Sequence, residues 1–380
     1  MRPFIITIFL IVLAAAFSFS QTLTIRVQAP SDTPDTATLF VAGNLPALGQ
    51  WQADGLRMMK GDSAIWSGSV TAPKGTEIEF KVTLGNWEQE ALYAAGDIPG
   101  NVRVVLNADT TVHLSPATWK HLGYKPSGGI TGTVRYHRGV MARGLTYARR
   151  ITVWLPPSYD SAPTRRYPVL YMHDGQNIFD PRTSFGGNDW QVDEVADSLI
   201  RHGAMEEIIV VGITNSPDRM LEYSDTTLGR AYASFVVDQL KPMIDSTYRT
   251  KPDRANTATM GSSMGGLISF LFVWWHPEVF SKAACLSSAF RWADNKMIRQ
   301  VEKAKKLPRD IAVYLDCGTA GIEARLQPGY ERMHKLLRKK GLIEGKTVMG
   351  FLDAGAEHTE RAWARRLWRP LKFLFPKSAE

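Results

Sequence analysis

A serine hydroxyl becomes a nucleophile only where the backbone presents it and a base takes its proton. Residues 257–270, TATMGSSMGGLISF, have the composition of such a place. Ser263 has glycine two residues away on each side, Gly261 and Gly265, and its neighbour Ser262 does not. A turn sharp enough to push the central side chain out of the backbone leaves no room for a Cβ at the flanking positions. The glycine register therefore selects Ser263, and Ser262 reads as a packing or turn residue. NTATMG before it reads as a strand and GGLISFLFVWW after it as a helix. That frame exposes a serine for acyl chemistry.

The base follows the serine in chain order. His276 ends the same helix and reads as a cap, and His334 lies in a basic helix, ERMHKLLRKK. His358 follows a strand in a glycine-containing loop, VMGFLDAGAEHTERAW, and is the expected base. The acid that orients it belongs between the strand IAVYLD and the helix of His334. Two carboxylates qualify: Glu323, beyond Gly318-Thr319, and Asp316, at the strand end, which equally reads as a loop anchor. A serine–histidine pair with no acid is the third alternative. The oxyanion needs two donors. The Met264 N–H is one, and the Gln176 N–H, from YPVLYMHDGQNIFD, is the expected second, with Gly175 permitting close backbone approach. His173 and Asp174 form an acid–base or metal-binding pair on paper; beside the serine turn they read as loop architecture. This chemistry requires no metal and no organic cofactor.

The elements that must hold these residues change character along the chain. From Leu23 to about Pro116, short alternating runs such as TLTIRVQAP, AIWSGSVTA and EIEFKVTLGNW predict a β-sandwich. From about Ile130, continuous apolar strands alternate with helical segments, predicting α/β architecture: a mostly parallel sheet with helices on both faces. The expected divisions are a leader at 1–20, a sandwich at 21–118, a linker at 119–130 and a catalytic domain at 131–376.

The leader reading rests on Arg2, an apolar run from Phe4 to Phe17 and the small residues Ser18 and Ser20, with cleavage expected before Gln21. It predicts a secreted or periplasmic protein with no stable membrane insertion. Lys plus Arg less Asp plus Glu is 45 − 37 = +8, spread along the chain rather than massed in a stripe, which argues against nucleic acid as a partner. The two cysteines, Cys285 and Cys317, exclude a disulfide scaffold. They read as buried thiols, with a single bridge as the alternative.

Six segments in order, YPVLYMHDGQNIFD, WQVDEVADSLI, IIVVGITNSPDRMLEYS, GSSMGGLISF, LDCGT and AEHTERAWARRL, resemble the putative esterase family of α/β-hydrolases. That family includes esterase D, feruloyl esterases, siderophore esterases and mycolyl transferases. The resemblance implies catalytic roles for Ser263 and His358. In relatives the acid lies one or two residues after a Gly-Thr pair, which falls here on Ala320-Gly321, and some siderophore esterases work with a dyad. The amino-terminal region, through LFVAGNLPALGQWQ and IWSGSVTAPKGTEIEFKVTLGNWEQE, resembles a starch-binding carbohydrate-binding module. The resemblance implies a sugar platform of Trp51, Lys81 and Trp87; the alternative is that the tryptophans are sandwich core. Trp66 reads as core in either case. The resulting expectation is a secreted serine esterase acting on a carbohydrate-linked, feruloyl-type or siderophore-type ester. Its rivals are acyl transfer to a sugar and a non-catalytic glycan-binding protein.

Overall fold

The computed structural model describes residues 20–61, 64–93, 100–123 and 129–377; the expected leader, apart from Ser20, lies outside them. The chain divides into two compact units, Met1–Lys125 and Pro126–Glu380.

The first unit contains strands β1 (Ser20–Gln28), β2 (Phe40–Gly43), β3 (Leu56–Arg57), β4 (Met59–Lys60), β5 (Ile65–Pro73), β6 (Thr76–Thr83), β7 (Ala91–Leu92), β8 (Val102–Leu106), β9 (Thr110–Leu114) and β10 (Thr118–Trp119), then a short helix, α1 (Lys120–Gly123). Two four-stranded sheets, β4-β5-β1-β9 and β3-β2-β6-β8, form the sandwich. Alternation puts Leu23, Ile25 and Val27 of β1 into one core with Ile78, Phe80 and Val82 of β6. Trp66 joins that core, 6% exposed. Trp119 is buried in it as well, and its indole N–H donates to Thr33 Oγ1 at 3.0 Å. The sandwich therefore runs past residue 118, into the stretch read from sequence as linker.

The second unit continues with β11 (Thr133–Val140), β12 (Arg149–Leu155), β13 (Val169–His173), α2 (Val192–Arg201), β14 (Ile209–Ile213), α3 (Arg219–Glu222), α4 (Thr227–Ser234), α5 (Lys241–Thr247), β15 (Thr257–Ser262), α6 (Met264–Trp275), β16 (Lys282–Leu286), α7 (Trp292–Lys303), β17 (Ala312–Gly318), α8 (Ile322–Lys339), β18 (Val348–Asp353), α9 (Glu360–Arg366) and α10 (Trp368–Leu374). The sheet order is β11-β12-β14-β13-β15-β16-β17-β18. The pairings β11–β12 and β12–β14 are antiparallel, and those from β14 to β18 are parallel.

Because successive side chains point to opposite faces, an uninterrupted apolar strand feeds two cores at once. In β13, Val169 and Tyr171 enter one core while Leu170 and Met172 enter the other. In β17, Val313, Leu315 and Cys317 take the first and Tyr314 the second. α6 is buried along nearly its whole length, so the element that follows Ser263 has little freedom to move. Cys285 and Cys317 are buried free thiols.

Candidate active site

Ser263 sits in the gap between β15 and α6 with φ 56° and ψ −120°, a conformation that costs a non-glycine residue about 1–3 kcal/mol. Its N–H donates to Leu286 O at 2.9 Å and its carbonyl accepts from Ala289 N at 3.0 Å, so β16 and the loop after it hold the strained turn. A Cβ on Gly261 would lie 2.7 Å from the Gly265 backbone, and one on Gly265 would lie 3.2 Å from Asp174 Oδ2. Backbone thus excludes a side chain at Gly261, while one at Gly265 would press on the Asp174 carboxylate. Ser262 is 4% exposed at the end of β15. Met264 opens α6, where an N–H has no acceptor within its own helix.

Among the candidate partners, the structure joins His358 and Glu323. His358 Nδ1 lies 2.9 Å from Glu323 Oε1, with the histidine side chain 16% exposed and the carboxylate fully buried. The other oxygen, Oε2, accepts from the Gly318 N–H at 2.8 Å and the Cys317 thiol at 3.0 Å. Burial alone would raise this carboxyl; the hydrogen bond and charge of His358, with Cys317 and Ser287, outweigh it and hold it at about 2. The two loops are tied together. Thr319 and Ala320 N–H groups donate to Ala356 O, and the Gly355 N–H donates to Thr319 Oγ1 at 2.8 Å. A Cβ on Gly318 would lie 2.3 Å from Ala356 O, so glycine is what allows this approach. The His358 ring meets the edge of Trp363 at 4.9 Å between centroids, and the Trp363 indole donates to Ser287 Oγ at 2.9 Å. Among the described residues the Ser263 hydroxyl makes no hydrogen bond to His358, a contact that often closes only with substrate present.

Asp316 has a different occupation. Arg366 grips it with Nε at 3.0 Å and Nη2 at 3.0 Å, and the Ser287 N–H donates to its Oδ1 at 3.0 Å. Burial raises its carboxyl even with Arg366 beside it. Its position at the strand end therefore serves to dock α9 onto the sheet, and its oxygens are taken. His276 caps α6 and pairs with Glu278, while His334 contacts Glu344 at 2.6 Å.

The loop after β13 carries Gln176. Gly175 is packed so closely on β14 that a Cβ would lie 2.4 Å from Ile213 N. Asp174, at φ 57°, is clamped by Arg219 through two bonds of 2.7 Å and by Asn215 Nδ2 at 2.7 Å. The Asn215 N–H in turn donates to Gln176 Oε1 at 3.2 Å. Sequence reasoning missed this clamp; its one visible trace was the segment NSPDRMLEYS, which carries Arg219. His173 is buried, between Tyr232 Oη at 2.8 Å and Thr259 Oγ1 at 3.0 Å. Burial lowers it to about 3, against Asp174 and with Arg219, so it is neutral at ordinary pH.

Among the described residues the carboxylates close enough to share a cation are Asp189, Asp193 and Glu194, whose oxygens lie within 4.8 Å of one another. Burial and the neighbouring Glu194 raise Asp193, and a shared proton accounts for the closeness without an ion.

In the first unit, Trp51 and Trp87 are half-buried at turns that follow the paired strands β2 and β6. Lys81 corrects the expectation: it is 4% exposed and its ammonium pairs with Glu90. It lies in a stretch of β6 buried on both faces, so it offers nothing to a sugar at the surface.

A mixed eight-stranded sheet with a strained serine between its fifth strand in chain order and the following helix defines an α/β-hydrolase domain. The chain belongs to the putative esterase family, whose model matches residues 144–374, and residues 22–112 match the starch binding domain. Over 260 residues it is 22% identical to the uncharacterized protein YbbA of Bacillus subtilis, covering 63% of this chain and 98% of that one. It is 26% identical over 239 residues to an endo-1,4-beta-xylanase/feruloyl esterase of Xylanibacter ruminicola, covering 59% of this chain and 29% of that longer protein. The enterochelin esterase of Shigella flexneri has the same fold, with a TM-score of 0.56 at 12% identity over 93% of this chain and 92% of that one.

Proposed function

We propose that this protein is an exported serine esterase that hydrolyses carbohydrate-linked esters of the feruloyl type through an acyl-enzyme. The observation that carries the reading is the buried Glu323 carboxylate bonded to His358 Nδ1, because it leaves Nε2 of the ring as the basic atom. Ser263 Oγ attacks the ester carbonyl carbon while His358 Nε2 takes its proton. Glu323 keeps the Nδ1–H tautomer and stabilises the imidazolium. The N–H groups of Met264 and Gln176 donate to the oxyanion. As the tetrahedral intermediate collapses, the alkoxide leaves with the proton from His358. Water then adds to the acyl-enzyme, His358 again takes and returns a proton, and the carboxylic acid departs from Ser263.

A carbohydrate-linked ester is favoured by two separate similarities, the feruloyl esterase portion of a xylanase and the starch binding domain at residues 22–112. The glycan contact falls to Trp51 and Trp87, whose flat faces suit the apolar side of a sugar ring.

The test is hydrolysis of p-nitrophenyl acetate by the wild type, Ser263→Ala and His358→Ala. The expected loss is several orders of magnitude in each variant. Equal rates in wild type and Ser263→Ala would overturn the mechanism. Retention on immobilised starch, lost in Trp51→Ala with Trp87→Ala, tests the amino-terminal unit; a wild type that flows through leaves it a spacer.

A further inference from the structure

Beside the loop that carries His358 lies a groove of about 610 Å³, walled by that loop and by the outer faces of α9 and α10. Arg361, Arg365 and Arg369 all line it. They are spaced four residues apart, and Leu367, between the two helices, keeps helical angles of φ −56° and ψ −32°. The spacing therefore stacks three guanidinium groups along one face. Like charges at that spacing weaken a helix, so the arrangement is a cost to the fold.

Several arginines of this unit are matched with carboxylates, among them Arg149 with Glu222, Arg219 with Asp174, and Arg366, in the same helix, with Asp316; others, such as Arg254 and Arg291, donate to backbone carbonyls. Arg365 is exposed and, among the described residues, has no carboxylate partner. Arg361 donates to the amide oxygen of Asn188 at 3.1 Å. Arg369 packs against two rings, its guanidinium carbon 3.8 Å from the centroid of Phe351 and 4.4 Å from that of Trp368, and the Lys372 ammonium lies 5.7 Å from the Trp368 centroid. Trp368 is 41% exposed. Two carboxylates border the groove: Asp353, 3.5 Å from Arg366, and Glu357 on the loop.

We propose that this groove binds a uronate, a carboxylate-bearing sugar residue, in the glycan part of an ester substrate. The proposal rests on the esterase reading, since it places the glycan next to the loop of His358. The Trp368 indole offers a face for the sugar's C–H groups, and Arg365 and Arg369 offer paired donors for the carboxylate. An exposed aromatic beside unpaired guanidinium groups suits a ligand with an apolar face and an anionic edge. A nucleic acid shares that chemistry but carries no reason to lie beside the catalytic loop of an esterase, so it is the rival outcome.

The experiment is calorimetric titration of the full chain with tetragalacturonate, with neutral xylotetraose and with a hexathymidylate oligonucleotide. Tetragalacturonate should bind, more weakly as salt is raised, and xylotetraose should not match it. Arg365→Gln and Arg369→Gln should each weaken tetragalacturonate about tenfold. Arg365 is exposed and makes no ion pair, so its variant reads the site even if Arg369→Gln disturbs packing; thermal melting checks both. Equal affinity for the two oligosaccharides, tighter binding of the oligonucleotide, or an unchanged affinity in Arg365→Gln would each overturn the proposal. The titrants contain no ester, so the result does not depend on catalysis. Hydrolysis of p-nitrophenyl acetate by the same preparation reads the esterase assignment separately.

Discussion

Two regions of the second unit place a histidine and a carboxylate together at the carboxyl end of the sheet, and only one of them is left able to move a proton. At the end of β13, both ring nitrogens of His173 are engaged and Asp174 is held by Arg219 and Asn215. Where the first turn of α8 meets the loop after β18, Glu323 engages Nδ1 of His358 and the ring stays partly exposed. An imidazole and a carboxylate meet in both places; the number of satisfied atoms differs. A fully bonded buried pair is architecture, and a pair with one free nitrogen is a candidate catalyst.

Substitutions at the two histidines should separate the regions most widely. His358→Ala is expected to lower kcat/KM by about 10⁵–10⁶-fold with folding intact. His173→Gln should instead lower the melting temperature, by leaving Tyr232 or Thr259 without a partner, and keep kcat/KM within about tenfold. A comparable loss of activity in both would erase the distinction. The carboxylates near β17 extend the comparison. Glu323→Gln should cost about 10³–10⁴-fold in kcat. Asp316→Asn should cost about 3–5 kcal/mol of stability in denaturant unfolding, because Arg366 is left buried and unpaired. If Asp316→Asn were stable and inactive, the assignment of roles would have to be reversed.

Smaller effects sharpen the account of the β13 loop. Arg219→Ala frees Asp174 and, through Asn215 and Gln176, the loop that would present the proposed second oxyanion donor. The expected result is a kcat about 10–100-fold lower with KM little changed, and partial recovery in dilute guanidinium. A rise in KM alone would make Arg219 a substrate contact instead. The least pronounced effect is in acid. His173 is depressed to about 3 from 6.5, so its neutral form stabilises the fold above pH 6.5, and that contribution is lost as pH falls toward 3. Glu323 is depressed to about 2 from 4.5, so its contribution is present above pH 4.5 and lost as pH falls toward 2. Melting curves from pH 8 to 2 should show the upper limb flattened in His173→Gln and the lower limb in Glu323→Gln.

How much of this was legible beforehand follows the range of the interactions. Alternation, apolar runs and the glycine register are local, and they placed the sandwich, the mostly parallel sheet and the turn at Ser263. The boundary at Trp119 moved because a linker is read from local composition, while Trp119 is buried by residues far away in the chain, Thr33 among them. Lys81 entered the expected sugar platform through the resemblance to a starch-binding module, and its burial against Glu90 is set by the fold.

The sequence alone marked the strained serine, since the close approach of Gly261 to the Gly265 backbone is a steric demand made within five residues. It also picked out His358 as the expected base and left Glu323, Asp316 or no acid as alternatives beside it. Only the tertiary structure chose Glu323 over Asp316 as the partner of His358, because that choice depends on which cation or imidazole each carboxylate meets. Arg366, from α9, reaches Asp316 on β17, and His358, from the loop before α9, reaches Glu323 at the start of α8, so the packing of α9 decides which carboxylate each one meets.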